Sequence, residues 1–378
     1  MKISFFGDFK INNITGLSLS NSVQSILNSC DINVVNFEAP VHCNSKPIKK
    51  SGPSISQDIA APQWLLSKGF NAISLANNHI FDFGKDGLEK TIDSFSGTNA
   101  IVMGAGTSWQ EAYKIHKVEI NGISVGFLAC THCEFGTLTD EWDLENTQGC
   151  AWICHPQIDR LIIQAKKEVD VFFLYVHAGV EYLSNPLPEW RTLYRHFIDI
   201  GADAVIASHP HVPQGWEVYN KKPICYSLGN FCFQKNVRKY KKDWNNSLCA
   251  ILEIDNEKNV SVSVKSIEYD PEKLQIDTKN DSRFESQILN LNSILIDPTK
   301  YIEQVNKEVV SLLPTYSNLF ASSGFVHNPF SKGVIKSIVK GIQGKDFFPK
   351  THLLNNLRCE SHRWAITRAL KITKKLTY

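Results

Sequence analysis

No uninterrupted apolar stretch of the chain approaches the roughly 18 residues that a membrane-crossing helix needs. The opening Met1–Asp8 offers one lysine and then the short apolar run Ile3–Phe6, too brief for the centre of a secretory leader, and no small-residue cleavage site follows. A cytoplasmic protein is therefore expected, at most peripheral at the inner face of the membrane. Internal repeats and low-complexity tracts are missing as well. A net charge of +2 gives no reason to invoke a nucleic-acid partner for the whole molecule, and no dedicated set of base-stacking aromatics stands out. Ten cysteines would suit a disulfide framework in a small secreted protein. Most of them here, such as Cys225, Cys232 and Cys249, sit in apolar strand-like runs, where reduced core thiols are expected.

What is present is an ordinary globular composition: 378 residues, 43% of them apolar, enough for a large domain with an appendage. The charge is unevenly spread. From Lys332 to Tyr378 there are 11 Lys/Arg against Asp346 and Glu360, a balance of +9 that leaves −7 of the total +2 for residues 1–331. Strand and helix signals alternate through the first part of the chain. Ile3–Phe6, Ile32–Phe37, Ala72–Ala76, Val171–Val176 and Ala204–Ala207 read as buried strands. Asp58–Ser67, Lys85–Phe95, residues 157–169 and Glu189–Ile200 read as helices, the last stopped by Gly201. Hairpins are expected at Tyr113–Ala129 around Asn121-Gly122, at Trp216–Tyr219 with Ile224–Leu228, and at Leu248–Ile254 with Val260–Ile267. Residues 134–152 read as an irregular loop or lid. Past Asp270 no strong strand follows, and helical spacing appears at Tyr301–Leu313, Gly333–Ile342 and Arg363–Leu376. The expected layout is α/β: a two-sheet sandwich flanked by helices over 1–270, then a basic, mainly helical extension over 271–378.

Seven metal-ligand candidates stand at the ends of those strands: Asp8, Glu38, Asn78, His79, His177, His209 and His211. Ligands of open α/β sheets bind beyond the carboxyl ends of the strands, so these side chains are expected to meet in one polar cluster. Mixed oxygen and nitrogen donors suit Mn, Fe, Zn or Ni, and a paired-metal hydrolase site is the leading reading. Each segment has a plain structural alternative, such as loop histidines, an Asn-rich helix cap or a hydrogen-bonded core histidine. Five of them falling at strand ends is the stronger signal. Asp82, three residues after His79, is placed to hold that imidazole's Nδ1–H.

These segments resemble the CapA family of the calcineurin-like metallophosphoesterase superfamily, implicated in capsules such as poly-γ-glutamate. The resemblance is carried by Gly7-Asp8, Asn36-Phe37-Glu38, Ser74–His79 with Asp82 and Gly84, and Gly104-Ala105-Gly106. It continues through His177–Tyr182, Gly201-Ala202-Asp203, His209–Val212 and Tyr226–Phe231, over about residues 1–268. It implies a metallophosphatase-like αββα sandwich holding one or two divalent ions, Mn, Fe or Zn. One ion would take Glu38, Asn78, His177 and His209; the other Asp8, Glu38 and His211. His79, oriented by Asp82, would protonate the leaving oxygen of a phosphate ester attacked by a metal-activated water. The superfamily's first motif usually reads Asp-x-His, whereas Lys10 stands in the histidine's place, a trait CapA relatives commonly share. The bridging residue is Glu38 where an aspartate is usual. Both departures favour one tight and one labile ion, and keep open a catalytically degenerate, metal-binding accessory subunit of capsule assembly.

Glu181, Arg191 and Asn230 lie just past strand ends and are candidate substrate contacts, with a helix-surface salt bridge as the alternative for Arg191. Expected partners are a phosphorylated or polymer-linked small substrate and capsule-assembly proteins. Cys130, Cys133, Cys150 and Cys154 have spacings that allow a structural zinc, weighed below plain thiols. The basic last helix either lies on an anionic membrane or docks on the acidic body, and docking is favoured.

Overall fold

The computed structural model describes residues 1–234, 243–322 and 350–374. Two sheets face each other. Strands of the first run in the order Ser18–Leu19, Gln275–Thr278, Val260–Asp270, Asn246–Ile254, Lys2–Lys10, Ile32–Phe37, Ala72–Ser74 and Ile101–Met103, with Asn230–Phe233 also pairing parallel to Lys2–Lys10. The second is ordered Trp216–Tyr219, Lys222–Cys225, Ala204–Ser208, Val171–His177, Ile123–Thr131 and His116–Ile120. Parallel pairing unites Lys2–Lys10 with Ile32–Phe37 and Val171–His177 with Ala204–Ser208, so the carboxyl ends of all four point one way.

Alternating side chains build three apolar layers. Phe5, Val34, Met103, Phe127, Phe173, Tyr175, Ile206 and Ala250 fill the space between the sheets. Phe5 packs edge-on to Phe173 with ring centres 6.1 Å apart and lies 5.9 Å from Tyr175. Phe6, Phe9, Val35 and Ile73 face outward under the helices Asn21–Asn28, Ala61–Lys68 and Gly84–Asp93. Phe172, Leu174 and Val205 do the same under Pro156–Glu168 and Pro188–Asp199. The result is the αββα sandwich of a metallophosphoesterase-like fold.

The hairpins at 116–131, 216–225 and 246–270 form as expected, with Asn121 at φ 53° and Gly122 at φ 76° supplying the left-handed turn. The 134–152 segment is more ordered than a lid. Thr137–Leu138 and Gly149–Ala151 join Ala105–Gly106 in a small third sheet. Beyond 270 the chain still adds the strand Gln275–Thr278, whose polar face hid it, and then the helix Ser282–Ile296. Long helices follow at Pro298–Ser322 and Glu360–Lys374, with Lys350–Arg358 between them in sequence. The helical reading of Gly333–Ile342 lies outside the described residues.

The last helix docks on the body. Ala365 and Ala369 are buried in the outer layer of the second sheet, Trp364 meets Trp190 edge-on at 4.6 Å, and Arg368 pairs with Glu189 at 2.8 Å. No helix among the described residues is long and apolar enough to cross a membrane.

One backbone contact shapes the site. The register of Lys2–Lys10 shifts between Phe5 and Asp8, a bulge that turns Asp8 toward the gap between the sheets while Phe9 rejoins Phe6 outside. The Asp8 N–H donates to the Gly229 carbonyl at 2.9 Å. A Cβ on Gly7 would sit 1.8 Å from that carbonyl oxygen. Gly7→Ala is therefore expected to cost about 3 kcal/mol, the upper end for overpacking because backbone must move. A urea midpoint indistinguishable from wild type would contradict this.

Candidate metal centre and cleft

Five strand ends deliver the ligands. Asp8 lies within Lys2–Lys10, Glu38 follows Ile32–Phe37, Asn78 follows Ala72–Ser74, His177 ends its strand, and His209 follows Ala204–Ser208. Both sheets thus contribute to one cluster, in which Asp8, Glu38 and His177 are 0% exposed.

His177 is its hub. Its Nε2 lies 3.1 Å from Asn78 Oδ1 and 3.0 Å from His209 Nδ1. Its Nδ1 sits 3.3 Å from Asp8 Oδ1, beside Ser208 Oγ at 3.2 Å and the Asn36 amide at 3.0 Å. With the proton on Nδ1, facing Asp8, the Nε2 lone pair points at an amide oxygen and at another imidazole. Lone pairs converging in a buried space are repulsive unless a cation lies among them, which is the arrangement a metal site requires. Glu38 Oε1 stands 4.0 Å from His177 Nε2 and 3.9 Å from His211 Nε2, between the two halves of the cluster. Asp8, Glu38 and His211 form a group whose ligand atoms all lie within 4.8 Å of one another. His132, Glu134 and His209 form a second such group beside it.

Electrostatics fit too. Burial lowers His177 below the ordinary histidine range, although Asp8 pulls it up, and burial with the neighbouring His132 lowers His209 well below it. Neutral imidazole is the form that binds metal. Burial would raise the Asp8 carboxyl, but His177 and His211 hold it below the usual carboxylate value. Four of the ten left-handed non-glycine residues among those described lie here: Ala39 (φ 101°), Tyr182 (φ 66°), His209 (φ 101°) and His211 (φ 60°).

His79 stands beside this cluster, its Nδ1 2.8 Å from Asp82 Oδ2. That carboxylate also accepts from the Ile55 N–H at 2.8 Å and pairs with the buried Lys50 ammonium, which lies 3.2 Å from His79 Nδ1. A cleft of about 630 Å³ opens over the site, lined by Lys10, Ser54, His79, Glu181, Tyr182 and His211 among others. Lys10 is 4% exposed and binds the Asn12 side chain and, at 3.4 Å, the Gln234 carbonyl. Burial pulls its ammonium down to about 8, against the pull of Glu38.

Two expected substrate contacts are placed elsewhere. Arg191 pairs with Glu217 at 2.6 Å, donates to the Leu295 carbonyl at 2.8 Å and stacks on Tyr301, away from the cleft. Its helix presents it to the Trp216–Tyr219 strand, so the salt-bridge alternative describes it. Asn230 is 1% exposed, and its amide is consumed by the His211 and Trp244 carbonyls at 3.2 and 2.9 Å and by His211 Nδ1 at 2.9 Å. It orients His211 and is not among the residues that line the cleft. Glu181 does line the cleft. Among the described residues Cys130, Cys133, Cys150 and Cys154 do not gather into a group of possible metal ligands, and none is in a disulfide.

Sequence reasoning passed over four side chains. Asn36 donates to Asp8 Oδ1 at 2.8 Å, and its place two residues before Glu38 in a strand was the available signal. Lys50, His132 and Glu134 lie in loops without periodicity. His132 lies between Cys130 and Cys133, and Glu134 opens the stretch read as an irregular loop.

The fold is thus a two-sheet αββα sandwich with a cluster of oxygen and nitrogen donors at its strand ends. The chain belongs to the family described as bacterial capsule synthesis protein PGA_cap, whose profile matches residues 9–235. It is 32% identical over 221 residues to the PGA biosynthesis protein CapA of Bacillus subtilis, covering 58% of this chain and 57% of that one. It is 30% identical over 217 residues to the capsule biosynthesis protein CapA of Bacillus anthracis, covering 56% and 53%. The match thus spans little more than half the length of these relatives. Among solved structures, a hypothetical protein from Thermus thermophilus aligns with 71% of this chain and 99% of its own, at 16% identity and a TM-score of 0.45.

The Arg191–Glu217–Arg195 group makes a pH prediction. Burial alone would raise the Glu217 carboxyl, but hydrogen bonds from Arg195 and Arg191 hold it at about 2, below its ordinary 4.5. A depressed carboxylate contributes stability that is complete above the ordinary value and fades as pH falls toward the folded one. Glu217→Gln is expected to flatten the decline in urea midpoint between 4.5 and 2. A slope equal to wild type would count against the assignment.

Proposed function

We propose that the chain is a metal-dependent phosphoesterase of capsule or surface-polysaccharide biosynthesis. Its substrate class is a phosphorylated sugar, lipid-linked or polymer intermediate. The observation that carries this reading is the convergence of Asn78 Oδ1, His177 Nε2 and His209 Nδ1 within 3.1 Å steps, beside an Asp82-bound His79 that lines the cleft. Glu38, Asn78, His177 and His209 would hold one ion, and Asp8, Glu38 and His211 another. When bound, such ions polarise a phosphoryl oxygen and bring the pKa of a coordinated water from 15.7 toward ~7.

The protein's own groups supply the rest. Asp82 holds the His79 Nδ1–H, so in the imidazolium form Nε2 carries the proton handed to the departing oxygen, which leaves neutral imidazole. Lys50 and the Ile55 N–H pin Asp82 in turn, which fixes the ring. Asn36 holds the Asp8 carboxylate, Ser208 Oγ stands beside the His177 Nδ1–H, and Asn230 orients His211. Glu181 and Tyr182 form part of the wall against which the non-reacting part of the substrate rests.

A second reading is a catalytically silent accessory subunit of capsule assembly, favoured by one observation: Lys10, buried near Glu38, stands in the place of the usual histidine. One measurement tests the metal centre that both readings share, and a second separates them. His177→Ala with His209→Ala should abolish bound metal by elemental analysis while circular dichroism stays near wild type. His79→Ala should keep the metal and lower turnover of an aryl phosphate with added Mn by about 10²- to 10⁴-fold. Metal-loaded wild type inactive on every monoester and diester tried would leave the accessory reading.

A further inference from the structure

The segment His132-Cys133-Glu134, just past the Ile123–Thr131 strand, is gripped from both sides. On one side it meets the metal centre. Glu134 Oε1 accepts from the Asn78 amide at 3.3 Å and from His132 Nε2 at 3.1 Å, and the His132 ring lies edge-to-face with His209, centres 4.3 Å apart. On the other side it meets the C-terminal helices, residue by residue. Asn355 Nδ2 donates to Glu134 Oε2 at 3.2 Å, the Glu360 carboxylate accepts the Cys133 N–H at 2.9 Å, and Ser361 Oγ lies 3.0 Å from His132 Nδ1. Glu360 also accepts from Trp152 Nε1 at 2.9 Å, which anchors the helix start. These helices lie more than a hundred residues beyond the end of the family match at 235.

The chemistry of an amide ligand makes this arrangement consequential. The two ends of Asn78 have nearly the same shape, but only the oxygen can face a cation, and the NH₂ end must find an acceptor. A carboxylate accepts only. Placed on the side away from His177, Glu134 selects the rotamer that turns Oδ1 toward His177 Nε2. We propose that Glu134 is the positioning residue for Asn78. The C-terminal helices, through Asn355, Glu360 and Ser361, hold Glu134 in place and so form part of the metal centre. This inference rests on the metal-centre reading above.

The test is a double-mutant cycle read as Mn²⁺ affinity by calorimetry on the full-length chain. Glu134→Gln places a second NH₂ against that of Asn78 and is expected to weaken Mn²⁺ binding about tenfold, in the range for loss of a group that orients a ligand. In an Asn78→Asp background both ends are oxygens, so adding Glu134→Gln should weaken binding no further. Asn355→Ala should weaken it severalfold with circular dichroism unchanged. Equal losses from Glu134→Gln in both backgrounds would make Glu134 a ligand in its own right, with His132 and His209, and overturn the proposal. A lower melting temperature with wild-type Mn²⁺ affinity would reduce the contact to packing. An unchanged affinity in Asn355→Ala would remove the C-terminal helices from the centre. Wild type that takes up no Mn²⁺ sinks the metal-centre reading and this inference together, whereas wild type that binds alongside an unaffected Glu134→Gln sinks this inference alone.

Discussion

Lone pairs from two different sheets must meet within about 3 Å around His177 Nε2, and most of the architecture follows from that demand. Asn78 comes from the first sheet, His177 and His209 from the second. The distance between the sheets therefore has to be set to a fraction of an ångström by apolar packing. Phe5, Phe173 and Tyr175 do this, and the Tyr175 hydroxyl ties the sheets directly by donating to the Phe6 carbonyl. The same packing excludes water, and exclusion of water keeps the imidazoles neutral and ready to donate. Core and site are one construction: the apolar layer between the sheets also sets the spacing of the side chains at their ends.

The two halves of the cluster are not equivalent. The His177 half draws an amide oxygen and two imidazoles, with Glu38 nearby. The Asp8 half has two carboxylates and His211, and the Lys10 ammonium is near enough to Glu38 to feel its charge. Strain is concentrated here as well, since His209 and His211 both occupy left-handed backbone on the turn that follows Ala204–Ser208. Such a conformation persists because Asp8 accepts the His209 N–H and Asn230 grips His211.

How much of this was legible in the sequence depended on periodicity. The buried strands and the ligands at their ends could be read because apolar runs stop abruptly at Asp, Glu, Asn and His. Asp82 could be read from its spacing to His79. The Gln275–Thr278 strand could not, because it is short and mostly polar and pairs only at the sheet's margin. Arg191 and Asn230 were misplaced for a common reason: a position just past a strand end tells where a residue starts, not which neighbour captures its side chain. Glu217 captured the first and His211 the second. Lys50, His132 and Glu134 act through contacts across tens to hundreds of residues, and no local pattern records such contacts.

The grip of the C-terminal helices on His132–Glu134 bears on how the protein comes into being. During synthesis the chain emerges at roughly 5–20 residues per second, amino end first. Asp8 waits for the Gly229 carbonyl, and Glu134 for Asn355, so the nascent chain carries a partly assembled ligand set for roughly tens of seconds at that rate. On the proposed role of Glu134, the centre would be completed only when the last helices arrive, later than the sandwich itself.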